Sequence, residues 1–162
     1  MAYKFMEYLC DPTPQIEGKD YENLLKVCFF YSTYFSLIYF NNSEHLVSLE
    51  PYIITSSFVY SWPETGLTDR GGLMEVYKCN RETQTILMNH TNNMMSWNFC
   101  FEERNPEDLA FYRSDKSVFF ASKIHEGECY LYPKKNESVE SIIVNKGWRP
   151  IENELIQNKV YF

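Results

Sequence analysis

After Tyr52 the chain is cut by turn signals into short apolar runs, and this rhythm limits its fold more than any other feature. Runs rich in β-branched and aromatic residues, bounded by Gly, Pro, Asn, Asp and Ser, read as strands. The expected strands are Tyr52–Trp62, Leu73–Cys79, Gln84–His90, Met94–Phe101, Leu109–Arg113, Ser117–Lys123 and Glu128–Tyr132. Pro63–Gly72, with three Gly and one Pro, is the longest candidate for a functional loop. Arg104–Asp108 reads as a turn, and Ser114-Asp115-Lys116 as the tip of a hairpin. Strands do not alternate with helices, which argues against a doubly wound nucleotide fold.

The flanks add helices. Tyr3–Leu9 reads as a strand and 11–19 as a loop. Tyr21, Leu24, Leu25, Cys28 and Ser32 recur at helical spacing, so 21–32 is an amphipathic helix that Asp20 can cap. Tyr34–Phe40 is a buried strand. Glu44–Glu50 fits a short helix stopping before Pro51, or a strand. Asn136 would cap a helix carrying Val139, Ile142 and Ile143, with Gly147 as its left-handed end and Trp148 closing it. Asn153–Phe162 stays undecided. The expectation is one α+β domain spanning 1–162, a mostly antiparallel twisted sheet of about six to seven strands with two or three helices.

The 13 Tyr and 12 Phe suit an aromatic-rich core, or rings gathered into a binding patch. With net charge −7 and no basic stripe, the chain lacks the footprint of a nucleic-acid binder and would attract a basic partner instead. The start, Met1 to Glu7, has an early acid and no apolar h-region, and Val27–Phe40 is too short to span a bilayer. The expected compartment is the cytoplasm, with no membrane partner. Five Cys without a C-x-x-C pair then read as small buried hydrophobes.

The densest polar run is Ser122 to Cys129. His125, Glu126, Glu128 and Cys129 are metal-competent, but the H-E-x-x-H signature needs a second His where Cys129 stands. A Cys–His nucleophile is spatial and invisible here. A glycosidase carboxylate pair could be drawn from Glu102, Glu103, Glu107, Asp108, Glu126 and Glu128, although such clusters usually face solvent. The plain reading of His125-Glu126-Gly127 is a tight turn, with Gly127 at positive φ. No catalytic residue, metal or cofactor is expected.

Asn105 to Lys116, with Val118-Phe119-Phe120 and His125-Glu126, and Tyr34 to Leu37 leading to Ser61-Trp62-Pro63-Glu64-Thr65, together resemble a group of small uncharacterised bacterial proteins. Some of these are inconsistently labelled as sporulation-stage proteins. Small acidic proteins of this sort are similar to immunity proteins that neutralise toxins. The class implies a basic protein partner and brings no site residue with it. On physical grounds, the acids Glu102, Glu103, Glu107 and Asp108, with Glu126 and its neighbour His125, flank Trp97 and Tyr112 and form the expected partner patch. The alternatives are a structural or homo-oligomeric protein burying its aromatic surface and, after it, an enzyme or metal binder using the His125–Cys129 segment.

Overall fold

The computed structural model describes residues 7–10, 16–98, 104–145, 147–151 and 159–162. Eight strands form one sheet, with every neighbouring pair antiparallel: β1 (Glu7–Cys10), β2 (Tyr34–Tyr39), β3 (Ile53–Val59), β4 (Gly72–Lys78), β5 (Glu107–Tyr112), β6 (Val118–Lys123), β7 (Glu128–Leu131) and β8 (Trp148–Ile151). Their spatial order is β3-β4-β2-β5-β6-β7-β1-β8. The α+β class and antiparallel sheet match expectation. The sheet is larger than expected because Trp148–Ile151, unassigned from sequence, pairs with β1 as an edge.

Two long helices, α1 (Lys19–Tyr31) and α2 (Arg81–His90), and the short α3 (Glu140–Ile143) complete the regular structure. Among the described residues, no helix is long and apolar enough to cross a membrane. α1 lies where its apolar spacing puts it, and Tyr21, Leu24, Leu25 and Cys28 are its buried face. Its N-cap is Gly18, at φ 59°, rather than Asp20, because the Gly18 amide bonds to Asn92 O at 2.8 Å and turns the chain into the helix. Asp20 falls in the first turn, where its charge still favours the helix dipole.

Three segments depart from the sequence reading. The expected strand Gln84–His90 is α2, started by a reciprocal cap in which Asn80 Oδ1 accepts from Thr83 N at 2.8 Å and Thr83 Oγ1 from Asn80 N at 3.0 Å. Met94–Ser96, expected to begin a strand, is a 3₁₀ turn whose Met95 amide is taken by Asn93 Oδ1 at 2.8 Å; 99–101 lie outside the described residues. The helix expected from Asn136 is reduced to α3, because the Glu137 carboxylate accepts from Lys134 N and the Arg113 guanidinium and holds 134–137 as a turn. Val47–Tyr52 resolves the 44–50 ambiguity as a 3₁₀ helix containing Pro51.

The principal core lies between the helices and one face of the sheet, with Trp97, Tyr21, Tyr77, Phe35, Phe111 and Leu25 all fully buried. The opposite face carries two smaller clusters, one around Tyr112 and Ala121, one around Ile38, Trp62 and Met74. Tyr161 and Phe162 pack across both, with Phe162 edge-on to Tyr112 at 4.9 Å and to Tyr34 at 5.4 Å. Aromatic residues thus fill both sides of the sheet.

Candidate functional site

The residues expected to form a partner patch are mostly interior. Trp97 is fully buried, stacked on His90 at 5.2 Å and donating its indole N–H to Tyr21 Oη. Tyr112 is equally buried and shares a 2.7 Å hydrogen bond with Ser36. Glu107 and Asp108 are buried at the start of β5, where the β2–β5 register shifts and Asp108 takes φ 56°. That irregularity breaks strand alternation and turns both carboxylates inward. His125 and Glu126 are half-exposed in a 3₁₀ turn closed by Gly127 at φ 70°, the turn expected from sequence. Glu102 and Glu103 lie outside the described residues.

Asp108 acts as a clamp. Its Oδ2 accepts the Trp62 indole N–H at 2.7 Å, and its Oδ1 accepts the Ile124 amide at 3.1 Å. Burial raises its carboxyl, and these two donors oppose that shift. Trp62 opens a tight turn closed by mutual backbone bonds with Thr65, inside which Glu64 takes φ 64°. A side chain other than Gly at that φ is held there by its surroundings. Asp108 therefore fixes the loop that carries Glu64.

The loop sets Glu64 over the helix-free face of the sheet, beside Glu7 of β1, Lys123 of β6 and Glu128 of β7. Sheet register explains the grouping. Ala121 opposes Tyr130, which opposes Leu9, and Lys123 opposes Glu128. Cross-strand partners share a face, and alternation adds Glu7 to Leu9 and Glu128 to Tyr130.

The carboxyl groups of this cluster are poorly compensated. Glu7 is fully buried, and neither of its oxygens has a hydrogen-bond partner among the described residues. Desolvation raises it from the ordinary carboxyl range to about 7. Glu64 is also raised to about 7, first by burial and then by the charge of Glu7, with Lys123 opposing and Glu128 adding to the rise. Its buried Oε1 is likewise unpartnered, as are Thr65 Oγ1 and Tyr132 Oη. Glu128 accepts a short bond from Tyr130, whose ring stacks on Tyr132 at 6.4 Å. Near neutral pH, Glu7 and Glu64 stand at the balance between holding and releasing a proton. A donor or cation brought against the cluster would favour the ionised form.

Glu107, Asp108 and His125 are the one group of three potential metal ligands, among the described residues, whose donor atoms lie within 4.8 Å of one another. Asp108 already accepts two N–H groups, and Glu107 has an interaction of its own. Of the three, Asp108 is the one that holds the Trp62 loop. Cys129 is buried in the principal core, away from the half-exposed His125 turn. Burial pushes the Cys28 and Cys79 thiols up, away from the reactive thiolate.

Sequence reasoning flagged the loop that carries Glu64 and the run that contains Glu128, but not the cluster they form with Glu7. An available signal was the acid placed in phase with apolar residues: Glu7 with Leu9 in β1, and Glu128 with Tyr130 in β7. No known family, curated protein or solved structure matches the chain.

Proposed function

We propose that this chain is a protein-binding module whose recognition site is the carboxyl cluster of Glu64 and Glu128, half-buried over the buried Glu7, and whose partner sets a basic side chain against it. The carrying observation is Glu7, a buried carboxyl without a hydrogen-bond partner among the described residues, beside a second unpartnered carboxyl oxygen on Glu64. Buried carboxyls are normally paired, and a guanidinium or ammonium supplies the missing donors and the missing charge. Tyr130, half-buried and stacked on the buried Tyr132, adds an aromatic ring beside Glu128 of the kind that anchors interfaces. A net charge of −7 steers a basic partner toward it. This is the chemistry an immunity or inhibitor protein would direct at a basic toxin.

The test is calorimetric titration with a hexa-arginine peptide at low salt. Binding should be about tenfold tighter at pH 8 than at pH 6, as Glu7 and Glu64 ionise. Glu64→Gln should weaken the pH 8 complex and reduce its pH dependence. Equal affinity for the variant and the native chain would overturn the assignment.

A further inference from the structure

Neighbouring residues of a regular strand face opposite ways, so two consecutive acids should not meet. Glu107 and Asp108 do, because β5 is bulged at its start. Ser36 pairs with Ala110 and Ile38 with Glu107, which sets Asp108 and Leu109 together against Leu37 alone. Asp108 takes φ 56° at the bulge, a conformation that Asp tolerates better than most side chains. The two acids end up only 7% and 2% exposed. Their donor atoms and that of His125 all lie within 4.8 Å of one another.

His125 is brought there by Asp108 itself. The Ile124 amide donates to Asp108 Oδ1 at 3.1 Å and Gly127, at φ 70°, closes the turn, so the imidazole stands half-exposed beside the two buried acids. The Trp62 indole donates to Oδ2 at 2.7 Å. Each Asp108 oxygen thus accepts one N–H and keeps a lone pair. Ligating carboxylates carry such outer hydrogen bonds, which fix their direction. Glu107 has an interaction of its own, and a carboxylate has lone pairs for more than one. Adjacent buried carboxylates repel, and buried charges are stabilised by pairing or by a metal. Burial raises the Asp108 carboxyl, and the charges of His125 and Lys123 oppose that rise less than the two hydrogen bonds do.

We propose that Glu107, Asp108 and His125 bind one zinc ion. Two carboxylate oxygens and one imidazole nitrogen suit a borderline divalent ion, whereas Ca²⁺ and Mg²⁺ take oxygen ligands. Three protein ligands leave the fourth tetrahedral position to water. Zinc bonds of about 2.1 Å place tetrahedral ligands roughly 3.4 Å apart, so the set contracts slightly on binding. The half-exposed His125 side chain can swing to make that closure. The ion ties β5 to the turn before β7 and, through Asp108, to the Trp62 loop. Glu7, Glu64 and Glu128 are not among the ligands, so the inference stands apart from the partner reading.

The full chain, stripped with a chelator, is titrated calorimetrically with Zn²⁺ alone at neutral pH. One equivalent should bind, and a saturating ion should raise the unfolding temperature. His125→Ala keeps the fold, since the ring is half-exposed, and should weaken binding by about thirtyfold or more. Glu107→Gln, equal in size but uncharged, should weaken it about tenfold. His45→Ala, which removes the imidazole beside Glu50 and Glu75, should bind as the native chain does. Co²⁺ in place of zinc should give visible bands without a thiolate charge-transfer band, because no Cys is a ligand. The site is overturned by any of four results: no saturable binding at about 100 μM zinc, binding that survives His125→Ala, binding lost in His45→Ala, or a thiolate band.

Discussion

Trp62 and Asp108, 46 residues apart, are joined by a 2.7 Å hydrogen bond from the indole N–H to a carboxylate buried at the root of β5. This contact ties an otherwise polar loop to the sheet and sets the position of Glu64. Asp108→Ala would leave two donors, Trp62 Nε1 and the Ile124 amide, without their acceptor. The expected loss is about 2–4 kcal/mol in denaturant unfolding. Trp62→Phe keeps a ring but not the N–H, and should cost less while still weakening hexa-arginine binding.

Glu7 gives stability an inverted pH dependence. Its carboxyl lies near the usual range in the unfolded chain and is raised to about 7 when folded. The folded state therefore holds the proton more tightly. The stabilisation linked to that proton is complete below about pH 4.5 and is lost as pH rises through 7. The native chain should unfold at a lower temperature at pH 8 than at pH 5.5, and Glu7→Gln should remove about half of that difference, since Glu64 is raised to about 7 as well. A flat profile in the native chain would mean that the Glu7 carboxyl is not raised.

Arg113 makes the opposite arrangement with Glu137. The guanidinium, 7% exposed, bonds Glu137 at 2.8 and 2.5 Å and also donates to the carbonyls of Val118 and Tyr132. Burial alone would raise the Glu137 carboxyl, but Arg113 and the Lys134 amide hold it below the ordinary range. Its contribution to stability is present at neutral pH and is lost as pH falls through the depressed folded value. Arg113→Met strands a buried carboxylate and should cost about 3–5 kcal/mol, whereas Arg113→Met with Glu137→Leu should cost less than the single change.

Asn80→Ala removes the acceptor for Thr83 N that starts α2. The expected cost is about 1 kcal/mol, measured by thermal unfolding. Asn80→Asp should come close to the native chain, since it keeps the side-chain oxygen.

Local signals carried the architecture where the structure is local. The spacing of Tyr21, Leu24, Leu25 and Cys28 is that of α1, and Gly127 sits at the positive φ its turn requires. α2 was not legible because Thr83, Thr85 and Ile86 favour strands individually, and its cap pairs Asn80 with Thr83 instead of a Glu or Gln. β8 was not legible because Arg149 and Pro150 suit only an edge, and being an edge is a property of the finished sheet. The candidate site was hardest. Glu7, Glu64 and Glu128 come from three distant segments, and only β1–β7 pairing and the Trp62–Asp108 bond bring them together. A bulge reversed the direction of Asp108, so acids that look solvated in sequence became interior.

The place of β1 between β7 and β8 has a consequence for how the molecule is made. A strand at residues 7–10 must wait for partners at 128–131 and 148–151. During synthesis it emerges well before either partner, so its pairing waits until residues 128–151 are made and closes the longest loop between paired strands of the described sheet. Glu7 rides on that strand. The carboxyl cluster is thus absent from every partly built chain and forms only once β1 has paired with β7, which would make the proposed binding a reporter of completed folding.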